Sequence, residues 1–139
     1  MYLHIGYFED FQGTNVILIS GDRDGLHELA GRLRSLEDAH AEPAEVHRLP
    51  FAHAHRGIQL TAYPVDEENG VRRVVGPGSP QTCFSWHHSQ EGWLEAAEKI
   101  QPVADSGAAH NHLGCIGVED ATVMVSCGEY DEGWWRKHG

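Results

Sequence analysis

Apolar residues recur along this chain with two periods, one typical of strands and one typical of helices. Residues 15–20 form a short apolar run, and residues 57–65 alternate apolar with polar positions, as buried and half-buried strands do. Residues 26–36 instead repeat apolar side chains every three or four positions, which places them on one face of a helix. We therefore expect strands on both sides of an amphipathic helix that packs on a sheet.

The same order of elements recurs in the second half of the chain. The segment GLHELA at 25–30 aligns with GWLEAA at 92–97, an offset of 67 residues. After a gap of two residues, the strand-like segment 58–61 aligns with 123–126. Self-similarity of this kind predicts two copies of one structural unit. We expect each copy to contain, in chain order, two strands, a helix and two further strands.

The boundaries of these elements follow from capping residues and prolines. Asp22 or Asp24 is predicted to cap the first helix, and Ser89 the second. Pro102 is predicted to end the second helix near Gln101, because the residue before a proline disfavours the helical region. The second helix is therefore expected to be shorter than the first, and residues 46–49 are expected to form a short strand.

These elements predict an α+β protein with a mostly antiparallel sheet of about eight strands and two helices that cover it. The chain of 139 residues is predicted to be one domain with repeat units at about 1–76 and 77–130 and a C-terminal tail at 131–139. Each half is too short to bury a sufficient core alone, so the two copies are expected to share one. The amino-acid composition, with 40% hydrophobic residues, is typical of a globular protein.

Composition also bears on location. No apolar run approaches the roughly 18 residues of a membrane helix, and the first residues lack the pattern of a signal peptide. Three cysteines are too few for the disulfide framework of a small secreted protein. The sequence predicts a cytoplasmic protein that does not bind membranes.

The net charge of −11 is the strongest compositional signal. It excludes a general nucleic-acid binder, which needs a basic surface to displace counterions from phosphate. It favours the capture of a basic protein partner by electrostatic steering. Acidic residues collect in predicted turns, and turns of a sheet can converge on one edge.

Two tryptophans in the tail add aromatic side chains of the kind that anchor interfaces. The predicted partner-binding residues are Asp66, Glu67, Glu68, Glu119, Asp120, Asp131, Glu132, Trp134 and Trp135. Two alternatives stay open, namely that the acidic turns are simply solvated and that the tryptophans pack back on the sheet.

Histidines and cysteines raise the alternative of a zinc or other metal site, possibly hydrolytic. Neutral imidazole and thiolate are good zinc ligands, and His110 and His112 would share a face of a strand. The candidate ligands are Cys83, His87, His110, His112 and Cys115, and His53-Ala54-His55 forms a further histidine cluster. Their spacing matches no standard zinc signature.

No catalytic motif stands out. Gly76-Pro77-Gly78 lacks the Gly-Lys-Ser/Thr ending of a phosphate loop, and Cys83 and Cys127 lie in apolar strands where a thiol is inert. We therefore predict a protein without catalytic residues, cofactor or metal, and not an enzyme.

The segment VILISGDRDGLHELAGRL at 16–33 resembles a small immunity-protein family of bacterial polymorphic toxin systems. That family shows an apolar strand, a Gly-Asp turn, a Gly-Leu-x-x-Leu-Ala-x-x-Leu helix and a later alternating strand like 58–63. The resemblance covers roughly fifty residues of the first unit, whereas the second unit has HHS at 87–89 in place of Ser-Gly-Asp. It implies a cytoplasmic protein that binds and neutralises a cognate toxin, with no catalytic residues to transfer.

The leading hypothesis is thus an acidic, non-enzymatic immunity or inhibitor protein that occludes the active surface of a basic bacterial toxin or effector. The alternatives are the metal-binding protein and a structural or oligomerisation module, because exposed sheet edges can pair between chains. The sequence leaves the identity of the partner and the oligomeric state open.

Overall fold

The computed structural model of the protein describes residues 1–65, 69–74, 82–113 and 120–139. Nine strands and three α-helices lie within these residues. In chain order they are β1 (Leu3–Phe11), β2 (Thr14–Gly21), α1 (Arg23–Ser35), β3 (Ala44–Glu45), β4 (Ala52–Ala54), β5 (Gln59–Ala62), β6 (Gly70–Arg73), β7 (Cys83–His87), α2 (Gln90–Ser106), β8 (Ala109–His112), β9 (Thr122–Cys127) and α3 (Glu132–His138). Two short 3₁₀ helices, Val46–Arg48 and His55–Gly57, lie before and after β4.

The strands form two mixed sheets. The five-stranded sheet has the order β4-β1-β2-β9-β8, and the four-stranded sheet has the order β3-β5-β7-β6. The prediction of α+β architecture is confirmed. The prediction of a mostly antiparallel sheet of about eight strands with two helices is wrong, because three of the seven strand pairings are parallel and the tail forms a third helix.

The parallel pairings at the centre of each sheet join the two halves of the chain. In the five-stranded sheet, the hairpin β1-β2 pairs through β2 with β9, and β9 pairs with β8. In the four-stranded sheet, the hairpin β6-β7 pairs through β7 with β5, and β5 pairs with β3. Both sheets therefore pair strands of the two halves, and the β6-β7 hairpin itself crosses the predicted boundary between residues 76 and 77.

One hydrophobic core contains side chains from both sheets and from α1 and α2. Helix α1 contributes Leu26, Leu29 and Leu33, and α2 contributes Trp93 and Ile100 at the same face spacing. All five side chains are fully buried. The predicted helical faces are thus the faces that the structure buries.

The ends of the helices agree with the capping residues except at the end of α2. Asp22 caps α1 by accepting a hydrogen bond from the backbone N–H of Gly25 at 2.8 Å, and Ser89 caps α2 by accepting from Gly92 at 3.1 Å. The prediction that Pro102 ends α2 is wrong, because α2 continues to Ser106 and is longer than α1. The residue after its end, Gly107, caps the helix with a φ of 76°, in the left-handed region that favours glycine.

The physical reason is that the helix tolerates Pro102 on its solvent side. A proline in a helix leaves the carbonyl four residues earlier, here that of Glu98, without its donor. Pro102 and Glu98 are both exposed, so solvent can supply the missing hydrogen bond. The next two residues, Val103 and Ala104, are buried and extend the apolar face of the helix.

The predicted strand at 46–49 is also wrong, because a side chain takes the place of a neighbouring strand. β3 pairs Ala44 with Ala62 and Glu45 with Thr61, so continued pairing would bring Val46 to Leu60. Instead, the Nδ1 atom of His47 lies 3.0 Å from the backbone nitrogen of Leu60 and accepts its hydrogen bond. The backbone then turns into the 3₁₀ helix.

Helix α3 covers the outer face of the five-stranded sheet. A second, smaller cluster there joins Val16, Leu18, Met124 and Trp135. Within the described residues, none of the helices has the length and apolar character needed to span a membrane.

Candidate functional site

The predicted partner-binding acids that the structure describes do not lie on one surface. Residues 66–68 and Glu119 lie outside the described residues. Asp120 lies just before β9, whereas Asp131 and Glu132 follow its other end. The described acids therefore lie at opposite ends of the five-stranded sheet.

Each of these described acids also makes a hydrogen bond within the chain. The carboxylate of Asp120 accepts from the backbone N–H of Arg73 at 2.7 Å, and Asp131 caps α3 by accepting from Trp134 at 2.8 Å. Glu132 lies 2.7 Å from the Nε2 atom of His4. All three residues remain exposed, so these bonds position the carboxylates without removing them from solvent.

A cluster of acids does form at the end of the sheet that carries Asp120. The register pairs Phe8 with Val16 and Val16 with Thr122, which places the β1-β2 turn beside the start of β9. Glu9 and Asp10, near the end of β1, are exposed, and Glu9 lines a shallow depression of about 430 Å³ together with Asp120 and Arg73. We call Glu9, Asp10 and Asp120 the acidic end.

The two tail tryptophans differ in exposure. Trp135 is 2% exposed and packs in the cluster beneath α3, so it is not available as a surface anchor. Trp134 is half-buried, and its ring packs against those of Phe8 and Tyr130 at centroid distances of 5.3 and 4.6 Å. Of the predicted aromatic anchors, Trp134 keeps an accessible surface.

Three histidines and one carboxylate connect β1, β4, the 3₁₀ helix after β4, and α3. The Nδ1 atom of the buried His4 lies 2.9 Å from Nε2 of His55, and its Nε2 atom lies 2.7 Å from Glu132. The ring of His53 stacks on that of His4 at 5.3 Å, and Trp135 stacks on His4 from 5.1 Å. This chain of contacts fixes α3 against the sheet.

The surroundings of these contacting side chains favour a neutral His55 and an ionised Glu132. Burial, followed by the nearby His4 and His53, lowers the pKa of His55. The hydrogen bond from His4 and its charge lower the pKa of Glu132. When His4 is neutral and donates from Nε2 to Glu132, its Nδ1 accepts, so His55 must donate from Nε2.

The candidate metal ligands that lie among the described residues do not converge. Cys83 and His87 lie on β7 in the four-stranded sheet, whereas His110 and His112 lie on β8 in the five-stranded sheet. Cys115 falls outside the described residues. Across 1–65, 69–74, 82–113 and 120–139, no group of three or more His, Cys, Asp or Glu side chains is arranged to hold a metal ion.

The thiols and the exposed histidines have local roles instead. Burial raises the pKa of the Cys127 thiol, which disfavours the reactive thiolate. The Sγ atom of Cys83 lies 3.7 Å from Oε1 of Gln59 on the neighbouring strand. His110 pairs with Glu129 at 2.8 Å.

A groove of about 690 Å³ opens beside the acidic end, between β1, the 3₁₀ helix after β4, the β6-β7 hairpin and the last turn of α3. Its lining includes four aromatic side chains and three cationic ones. The aromatic residues are Tyr7, Phe8, Phe11 and Trp134, and the cationic residues are Arg56, Arg73 and Lys137. His55, His138, Glu9 and Thr82 complete the lining. We call this the cationic groove.

Sequence reasoning missed the groove and the role of His4. The HAH motif at 53–55 is visible in the sequence as a histidine cluster, but its partners are His4, about fifty positions earlier, and Trp135, eighty positions later. One signal was present, because the alternation of β1 places His4 on the same side as Phe8. Nothing in the sequence indicates that α3 covers this side of the sheet.

A scan against protein-family models found no match, and neither the curated proteins nor the solved structures yielded a similar protein.

Proposed function

We propose that the chain is a non-enzymatic binding protein whose acidic end captures a basic protein partner. The observation that carries this proposal is that Glu9 and Asp120 line one depression at an end of the five-stranded sheet, with Asp10 next to Glu9 in β1. All three are exposed, and the net charge of −11 adds a long-range attraction for a cationic surface.

The aromatic side chains beside the acidic end support the same function. Charged groups set the rate of encounter and the choice of partner, whereas a desolvated aromatic side chain supplies most of the affinity in a typical interface. Trp134 is half-buried beside Phe8 and Phe11, so an interface can cover it with little loss of side-chain freedom.

In its finer form, the proposal is a cytoplasmic bacterial immunity protein that occludes the active surface of a basic toxin or effector. The resemblance of 16–33 to the immunity family and the acidity of the chain support it. We also propose that the chain contains two copies of one unit. The pairing of β1, β2, β9 and β8 in one sheet matches that of β6, β7, β5 and β3 in the other, which supports this proposal.

The test is co-expression of the chain with each basic toxin domain that is encoded beside its gene. We expect growth to be rescued and the two purified proteins to bind, with a Kd that rises steeply with salt concentration. Failure to rescue growth from any such domain would contradict the immunity function.

A set of charge-neutralised variants tests the surface. Glu9→Gln, Asp10→Asn and Asp120→Asn together remove three charges, and the asparagine at 120 keeps an acceptor for the backbone of Arg73. We expect about a tenfold slower association than for the wild type. The matched control is Glu28→Gln, Glu42→Gln and Glu98→Gln, three exposed acids elsewhere. Equal effects of the two sets would refute the acidic end as the contact surface.

A further inference from the structure

The cationic groove reverses the charge balance of the chain. The whole sequence has 21 acidic residues and 10 lysines and arginines, a ratio of about two to one in favour of negative charge. The groove is lined by Arg56, Arg73 and Lys137 against the single carboxylate of Glu9. A concentration of positive charge in a concave, partly desolvated site attracts anions more strongly than the same charges on an open surface.

Among the described residues, no Asp or Glu side chain forms an ion pair with any of these three side chains. The guanidinium of Arg73 donates to the hydroxyl of Tyr7 at 2.7 Å and lies 5.1 Å from the centre of its ring, so its position is fixed by neutral groups. Arg56 donates from Nε to the carbonyl oxygen of Gly139 at 3.3 Å, which uses one of its five N–H donors.

Aromatic side chains form another part of the lining. Trp134 packs against Phe8 and Phe11 at centroid distances of 5.3 and 6.4 Å, and against His138 at 4.8 Å. These contacts hold the indole in place while it stays half-buried. A fixed, accessible aromatic ring is a surface on which a planar group can stack.

We propose that the cationic groove binds a small aromatic anion, with its carboxylate or phosphate group held by Arg56 and Lys137 and its planar ring against Trp134. Arg73 adds a fixed positive charge, and the carboxylate of Glu9 accepts a hydrogen bond from a hydroxyl or amino group of the ligand. This inference does not depend on the capture of a protein partner by the acidic end.

The dimensions of the groove agree with a small molecule. Its volume of about 690 Å³ lies within the range of roughly 300–1,000 Å³ that is usual for ligand pockets. The few charged groups provide orientation and the aromatic groups provide contact area, which is the common division of roles in such pockets.

The test is isothermal titration calorimetry of the full chain with four probes. Adenosine monophosphate and indole-3-carboxylate carry both an aromatic ring and an anionic group, adenosine carries the ring alone, and inorganic phosphate carries the anion alone. We expect at least one of the two aromatic anions to bind about tenfold or more tightly than adenosine or phosphate. Tighter binding of adenosine monophosphate than of indole-3-carboxylate identifies phosphate as the preferred anionic group. The reverse order identifies carboxylate.

Two variants assign the binding to the groove. Lys137→Gln and Arg56→Asn each remove one charge, and asparagine suits position 56 because its φ of 54° is left-handed. Each is expected to weaken the binding of the aromatic anion about tenfold or more. Arg32→Gln and Arg34→Gln on the exposed side of α1 are the matched controls. Circular dichroism checks that each variant is folded.

Three results would overturn the proposal. The first is an absence of binding by both aromatic anions to the folded chain. The second is binding no tighter than that of adenosine or phosphate, because the ring and the anion would then not act together. The third is an equal loss in the α1 controls, which would mean that the chain attracts anions without a defined site.

Discussion

His88 is a buried titratable side chain with no polar partner among the described residues. It follows β7 directly, is 2% exposed, and lies against the rings of Trp86 and Trp93. Neither of its ring nitrogens has a hydrogen-bond partner there. Gly92 faces the ring so closely that an added Cβ would lie 2.5 Å from Nδ1. A charged imidazole is therefore very unfavourable at this position.

Burial lowers the pKa of His88 from 6.5 to about 4 in the folded chain. Between these two pH values the unfolded chain binds more protons at this residue than the folded chain does. The free energy of unfolding therefore falls as the pH drops from about 6.5 to about 4, by roughly 3 kcal/mol in total. Above pH 7 the residue is neutral in both states and contributes no dependence on pH.

We expect His88→Leu to reduce this loss of stability on acidification. The measurement is the free energy of unfolding in urea at pH 7 and pH 5, compared with the wild type. The control is His112→Leu, because His112 is exposed on β8. A pH dependence that is unchanged in His88→Leu, or that is reduced equally in the control, would contradict this prediction.

At the scale of elements, α3 covers one sheet and not the other because the outward positions of the two sheets differ. In the alignment of the two halves, Val16 and Leu18 on β2 correspond to Cys83 and Ser85 on β7. The two residues on β2 are buried beneath α3, whereas those on β7 are half-buried in a sheet face without such a helix among the described residues. Burial of apolar surface provides the free energy that holds a short helix, so α3 packs on the apolar face.

Helix α3 is held mainly by Trp135, which packs over the backbone at Gly6. A Cβ added at Gly6 would lie 2.9 Å from ring atoms of both Phe8 and Trp135. We expect Trp135→Ala to lower the free energy of unfolding by about 3 kcal/mol, through lost burial and the cavity that remains. Gly6→Ala is expected to lower it by about 1–3 kcal/mol, because the indole must move.

The two changes act on the same contact, so their effects are expected to be less than additive in the double variant. Arg136→Ala is the control, since Arg136 is exposed on the same helix, and we expect an effect within about 0.5 kcal/mol. Strict additivity of Gly6→Ala and Trp135→Ala in urea unfolding would count against a shared contact.

At the scale of the whole molecule, neither half of the chain contains a complete sheet. The pairing of β2 with β9 and those of β5 and β6 with β7 all cross between the halves. A separated half would expose strand edges that are paired in the whole chain, together with its side of the common core. Cooperative unfolding of the chain as one unit follows from this arrangement.

We therefore expect fragments 1–76 and 77–139 to be unfolded when each is alone and to form the native sheets when they are mixed. Circular dichroism and amide resonances in two-dimensional NMR spectra of the separate and mixed fragments measure this. A mixture of either fragment with itself is the control. Independent folding of one fragment would contradict the exchange of strands between the halves.

Local signals in the amino-acid sequence were enough to predict the helices and the central strands. Apolar periodicity located α1, α2 and the central strands, and the capping carboxylate of Asp22 and hydroxyl of Ser89 marked the helix starts, because these interactions join residues within one turn. The repeat predicted that the helices of the two halves would present the same apolar face to a common core, as Leu26 and Trp93 do.

Only the tertiary structure decided which strands pair, which sheet face α3 covers, and which side chains meet at the sites. Parallel partners such as β2 and β9 lie about a hundred residues apart, and alternation shows which face of a strand is buried but not its neighbour. The same holds for the cationic groove, where Arg56, Arg73 and Lys137 come from three distant segments. It also holds for Trp135, whose burial depends on a glycine that lies 129 positions earlier.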